Sequence, residues 1–237
     1  MSRHCVFPRR WLVVSPDASA RSRAAVRNAE VDALIVAGPV RDAAPFLASA
    51  REYGARARLF CAVPSGDMAT PDDDLDVLGA TPPDGVLLMS CRGRADLQQV
   101  SIRLALVEAR AGVEAGSIKI IASVAQTPDA VFGLGGLAGA SRRLAGLVFD
   151  PGALPRAMGP GFDPSGAAAG TARGLVVFAA AAAGVPALVV IPPHLAAASG
   201  AFEAFCVAMR GEGFAGAIGA DPDQTSRIAA IFGCDPV

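Results

Sequence analysis

The sequence predicts an α/β protein, a compact (β/α)8 TIM barrel. Eight short runs rich in Val, Leu and Ile recur along the 237 residues, separated by Ala-rich, Arg-containing stretches of helical length. The runs are apolar almost throughout rather than alternating, as happens when both faces of a parallel sheet are covered. Eight strand–helix units on a chain this short fit a closed barrel, which leaves no edge strand to protect. A doubly wound open sheet is the structural alternative. No internal repeat is evident and no linker divides the chain, so one domain spanning 1–237 is expected.

Taken in order, WLVVS at 11–15 reads as the first strand, with a helix at 18–29 behind it. ALIVA at 33–37 leads into a helix at 42–53, and the apolar run at 58–63 into one at 72–78. GVLLMS at 85–90 precedes a helix at 95–110, and IKIIASV at 118–124 precedes one at 129–144. The sixth strand, GLVFD at 146–150, is followed by a Gly/Pro-rich loop at 155–166 and a helix at 172–183. ALVVI at 187–191 and AGAIG at 215–219 complete the set, with helices at 202–211 and 224–232.

Composition narrows the function classes. The chain is 52% hydrophobic and 18% charged, which excludes a disordered chain. Its net charge is −1 and it carries no basic block, so neither nucleic acid nor an anionic membrane is an expected partner. The uncharged stretch at 174–193 has the length of a membrane span. Gly184-Val185-Pro186 interrupts it, however, and helix, turn and buried strand describe it better. The opening residues lack a secretory core, and the five scattered cysteines read as small core residues of a reducing, cytoplasmic setting. No C-x-x-C pair and no zinc-ligand spacing occurs. Of 21 basic residues only Lys119 is a lysine, and it stands at the start of a strand, which argues against Schiff-base chemistry at the opposite, working end.

In a barrel, chemistry is built where strands end. Those ends carry Ser15-Pro16-Asp17, Ala37-Gly38-Pro39, Val63-Pro64-Ser65, Ser90-Cys91-Arg92, Ala125-Gln126-Thr127, Asp150-Pro151, Pro192-Pro193-His194 and Gly219-Ala220-Asp221. Asp17, Asp150 and Asp221 each precede a helix or turn, where Asp caps backbone amides, although three carboxylates on one rim could hold a hard cation. His194 is a general-base candidate or a surface residue. Arg9 and Arg10, just before the first strand, could bind a carboxylate or phosphate bidentately or stand solvated. Gly133, Gly135 and Ala138 match G-x-G-x-x-A, with Asp150 where a ribose-binding acid would lie, so a nucleotide-dependent oxidoreductase is one alternative. The supposed strand before those glycines is only three residues long, which favours a Gly/Ala-rich helix packed on the barrel. Nucleophile-elbow, P-loop and zinc-helix motifs are absent from the sequence.

The order of motifs resembles the HpcH/HpaI aldolase and citrate lyase beta-chain family. RRWLVVSP at 9–16 is similar to its opening R-S-x-L-F-x-P-G, VDALIV at 31–36 to its A-D-x-V-I-L strand, and AQTPDAV at 125–131 to its E-T-P-x-G-V. DDDLDVLGATPPDGVLLMS at 72–90, with GRADLQQV after it, is similar to its fourth unit. LAGLVFDPGAL at 144–154, ARGLVVFAAAAAGVPAL at 172–188 and GFAGAIGADPDQ at 213–224 resemble its later motifs. The resemblance implies a metal-dependent TIM-barrel lyase acting on C–C bonds, often in acyl-CoA thioesters. The departures fall on the chemistry. The family's acidic D-L-E-D turn is Ala37-Gly38-Pro39-Val40, its third-strand arginine falls at Cys61, and its fourth-strand lysine at Ser90. Its two magnesium ligands fall at Gln126 and Ala153, its Asp after the seventh strand at Val189, and its I-H-P histidine at Asp221, whereas Arg9 matches.

The resemblance therefore implies a divergent, catalytically impaired relative. Such a protein binds a small acyl or CoA-like ligand, or serves as a partner subunit, with Arg9, Gln126, Thr127, Asp150, His194 and Asp221 as candidate ligand-binding residues. No catalytic residue and no metal ligand is assigned, and no cofactor is expected. An active magnesium-dependent lyase using displaced ligands such as Asp150 is the enzymatic alternative. Family resemblance and the Ala-rich apolar helices make a homo-oligomer or a partner complex the expected assembly.

Overall fold

The structure, a computed structural model, describes residues 8, 10–17, 31–52, 56–65, 75–195 and 197–233. Eight parallel strands close into a barrel in chain order, the first pairing with the last. They are β1 Arg10–Val14, β2 Ala33–Val36, β3 Arg58–Pro64, β4 Gly85–Met89, β5 Lys119–Val124, β6 Leu144–Phe149, β7 Ala187–Val190 and β8 Gly216–Gly219. The described helices are α1 Val40–Glu52, α2 Arg94–Ala111, α3 Pro128–Gly133, α4 Ala153–Met158, α5 Ala167–Ala183, α6 Gly200–Gly211 and α7 Pro222–Phe232. The closed barrel is the predicted fold, and the open sheet is excluded.

Strand parity sorts the apolar runs into two cores. Trp11, Ala33, Ile35, Phe60, Leu87, Ile121, Val148, Leu188 and Ile218 fill the barrel interior, while intervening residues such as Leu12, Leu34, Cys61, Ile120 and Val189 pack against the helices. This is why the runs show no polar alternation: both faces are buried. Inside, bulky residues stand against small ones. The Trp11 and Phe60 rings lie 5.0 Å apart, and a Cβ at Gly85 would come 2.3 Å from the Phe60 ring. The Trp11 indole, wholly buried, donates to the Pro8 carbonyl at 2.7 Å.

The strand bounds fall within a residue or two of expectation; the helices differ more. The helix expected at 18–29 lies outside the described residues, as do Tyr53 and 72–74 of two others. Between β3 and β4, Leu75 and Asp76 are helical and continue into the 3-10 turn Val77–Gly79. The helix expected at 129–144 stops at Gly133 and passes through the 3-10 turn Leu134–Gly136. Glycines at 135, 136 and 139, the last at φ 65°, favour turns over continued helix there. Conversely, the loop expected at 155–166 begins inside α4, and α5 starts five residues early, at Ala167.

These bounds also decide the dinucleotide fingerprint. Residues 130–132 are helical rather than a strand, so Gly133 to Ala138 follow α3 instead of opening a helix after a strand. A Cβ at Gly133 would lie 1.8 Å from the Arg92 carbonyl oxygen. The glycine is there for close packing of α3 on the turn after β4, and the oxidoreductase reading lacks its structural context.

The uncharged stretch at 174–193 is helix, turn and strand as expected. Gly184, at φ 67°, caps α5 before β7. No helix among the described residues is long and apolar enough to cross a membrane. Cys61, Cys91 and Cys206 are free and buried, and burial raises their thiols to about 12, 11 and 11, so they remain protonated core groups. Lys119 is exposed at the start of β5, where its Nζ donates to the Gly116 carbonyl.

Candidate functional site

All eight strands point the same way, so their C-terminal ends share one mouth. There β3, β4 and β5 present a chain of neutral hydrogen bonds. Ser65 Oγ donates to the Ser90 carbonyl at 2.7 Å, Ser90 Oγ donates to Gln126 Oε1 at 2.6 Å, and Gln126 Nε2 donates to Ser123 Oγ at 2.7 Å. Ser123 shares the parity of the inward-facing Ile121 and is buried, so the chain runs from the rim into the barrel.

Two unusual backbone conformations hold this chain. Ser90 and Ala125, each the first residue beyond its strand, sit at φ 55° and 54°, and no other described non-glycine residue has positive φ. Each such conformation costs about 1–2 kcal/mol in an L-residue. The turn at Ala125 lets Gln126 fold back onto Ser123, three residues earlier. The turn at Ser90 sends the Cys91 amide to the Ser123 carbonyl at 2.9 Å. Sequence reasoning singled out Gln126 and noted Ser90 as a lost lysine, but missed the roles of Ser65 and Ser123. A lone serine inside the apolar run IIASV was the available signal for Ser123.

The remaining candidates stand apart from this chain. Thr127 Oγ1 donates to Asp129 Oδ1 at 2.5 Å, at the start of α3, and this bond lowers the Asp129 pKa. Asp150 accepts from the Gly152 amide at 2.9 Å and from Arg156 Nη2 at 3.1 Å. Asp221 caps α7: its carboxylate accepts from the Asp223 amide, while Gln224 returns a bond to the Asp221 amide. His194 is exposed on the turn after β7. Arg9 lies outside the described residues; its neighbour Arg10 begins β1, at the end opposite the mouth. There its Nε and Nη2 both donate to Asp32 Oδ1, at 3.1 and 2.8 Å, so it does not stand free for a ligand.

Strand parity corrects two positions of the family comparison. Cys61 and Val189 belong to the outer core between strands and helices, so neither could present a group to the mouth. The inward positions one residue on are Ala62 and Val190, which are uncharged as well.

The magnesium that the resemblance implies can be tested against the donors present. Magnesium is held by hard anionic oxygens in strict octahedral geometry. At the two implied positions stand the Gln126 amide, already engaged by two serines, and the buried methyl of Ala153. Asp150, the displaced-ligand candidate, is occupied by an amide and a guanidinium. Among the described residues no group of three or more His, Cys, Asp or Glu side chains could hold a metal ion, so Asp17, Asp150 and Asp221 do not form one. The described residues at these positions do not fit a divalent cation.

The class is thus a (β/α)8 barrel with an uncharged hydrogen-bond chain at the C-terminal ends of β3 to β5. Among solved structures it is similar to RipC from Yersinia pestis, at TM-score 0.72 and 19% identity over 96% of this chain and 95% of the other. The citrate lyase beta subunit of Mycobacterium tuberculosis, complexed with oxaloacetate and magnesium, matches at TM-score 0.68 and 20% identity over 94% and 96%. Haloferax volcanii malate synthase, as a lead(II) complex, matches at TM-score 0.79 and 16% identity over 97% of this chain and 74% of the other. No protein-family model and no curated protein sequence matches the chain. The fold is the one that the resemblance to the HpcH/HpaI aldolase and citrate lyase beta-chain family implied.

Proposed function

We propose that the protein is a divergent relative of the citrate lyase beta-type lyases that has lost metal-dependent C–C chemistry. It binds a small acyl or CoA-like ligand at the C-terminal mouth, as a homo-oligomer or as a partner subunit. One observation carries this reading. Gln126 stands where the resemblance places a metal-ligating carboxylate, and its amide is held between Ser90 and Ser123 by two short neutral hydrogen bonds. Without a cation, an enolate formed in C–C cleavage would lack its main electrostatic stabiliser. The engagement of Asp150 by Gly152 and Arg156 weighs against the displaced-ligand lyase.

Calorimetric titration with magnesium, with and without acetyl-CoA, tests the reading. Acetyl-CoA binding that is indifferent to magnesium is expected; tight magnesium binding by the unmodified protein would overturn it. The double variant Gln126→Glu with Ala153→Asp should acquire magnesium affinity, because it restores two anionic donors at the implied positions. No gain in metal binding would count against the family comparison at β5 and β6.

A further inference from the structure

Apart from Ser123, the inward-facing side chains that open the mouth on β1, β4 and β7 are aliphatic. Val13 on β1, Met89 on β4 and Val190 on β7 share the parity of the buried Trp11, Leu87 and Leu188, yet are only partly buried. They form the upper surface of the barrel filling. Beside Met89, the polar groups of the Ser90–Gln126–Ser123 chain are all neutral. Arg92, on the turn after β4, and Arg156, on α4, are paired with Asp96 and Asp150 at 3.4 and 3.1 Å. A carboxylate lowered against these side chains would shed its water without meeting an unpaired opposing charge among these described groups, whereas an alkyl group would gain apolar contact.

From this we infer that the mouth selects an uncharged aliphatic acyl group over a carboxylate-bearing one of the same size. The inference rests on the acyl-ligand reading above and adds the chemistry of the inserted end. The alkyl portion lies on Val13, Met89 and Val190. The acyl carbonyl oxygen accepts from Gln126, whose amide nitrogen keeps a second N–H beyond the one given to Ser123.

Isovaleryl-CoA and malonyl-CoA are nearly isosteric thioesters, one ending in two methyl groups and the other in a carboxylate. Titrated calorimetrically into the wild-type protein without metal, isovaleryl-CoA should bind at least about tenfold more tightly. Malonyl-CoA binding as tightly or more tightly overturns the inference while leaving the acyl-ligand reading in place. Failure of both esters and of acetyl-CoA to bind overturns the two together. Met89→Lys, with a thermal melt to confirm folding, should cut the preference about tenfold by supplying a cation at the lip. A folded variant with an unchanged preference places the ligand elsewhere and also overturns the inference.

Discussion

Ser90, Ala125 and Gln126 show how a site is made from side chains of ordinary type. None is charged, and the feature that joins them is backbone: two left-handed residues at adjacent strand ends. Such conformations persist where the surroundings over-determine them, and they concentrate at functional sites. Ala125→Gly relieves the left-handed strain and so should leave stability unchanged or raise it, by up to about 1 kcal/mol. Ala122→Gly, equally buried but within β5, should instead cost about 1 kcal/mol, since glycine weakens a regular strand. Equal destabilisation by the two in urea melts would remove the strain from the description. Gln126 was legible from its place after a strand. The chain it joins was not, because the bond from Ser65 to Ser90 spans 25 residues and that from Ser90 to Gln126 spans 36, and both depend on strand register.

At the scale of elements, the end opposite the mouth is tied by a buried ion pair that the sequence did not reveal. Glu108, on the last turns of α2, faces Arg143, just before β6, with Arg143 Nη2 2.7 Å from its carboxylate. The same carboxylate accepts from the Gly116 and Ile118 amides at 2.8 Å each, and Arg143 also donates to the Ile118 carbonyl. One carboxylate thus joins a helix to the approaches of two strands. Burial alone would raise its pKa; the guanidinium and the two amides outweigh it and hold Glu108 at about 2, below the usual 4.5. Because the folded state favours the charged form, this stabilisation is complete above about pH 4.5. It is withdrawn as pH falls toward about 2, a loss of about 3 kcal/mol. Glu108→Gln leaves Arg143 buried without its counter-charge and should cost about 3–5 kcal/mol at neutral pH. The variant should also lose much of the acid limb of the stability profile; an unchanged limb in urea melts from pH 5 to pH 2.5 would assign it to other carboxylates.

For the molecule as a whole, closure of the barrel depends on fitting large interior residues against small ones. Gly85 is the tightest such place inside the barrel, since a methyl group there would meet both the Phe60 ring and the Lys119 carbonyl at under 3 Å. Gly85→Ala should therefore destabilise the protein by about 1–3 kcal/mol, as overpacked cores do. Adding Phe60→Leu should recover part of the loss, and a double-mutant cycle with no coupling would refute the contact.

The sequence by itself determined the α/β class and made a closed barrel the leading architecture; closure itself, against an open parallel sheet, was decided by the structure. Eight apolar runs at regular spacing, WLVVS to AGAIG, each buried on both faces, leave a closed parallel barrel as the economical arrangement. It also determined that charged groups are missing where the family comparison implies them, since Gln126 and Ala153 are read directly. The tertiary structure decided which way each side chain faces: Cys61 and Val189 outward, Ser123 and Met89 inward. A shift of one residue in a strand reverses the face, and no composition or motif fixes that parity. It also decided which polar groups meet across the mouth and beneath it, because contacts between strand ends follow from the closure of the barrel rather than from spacing along the chain.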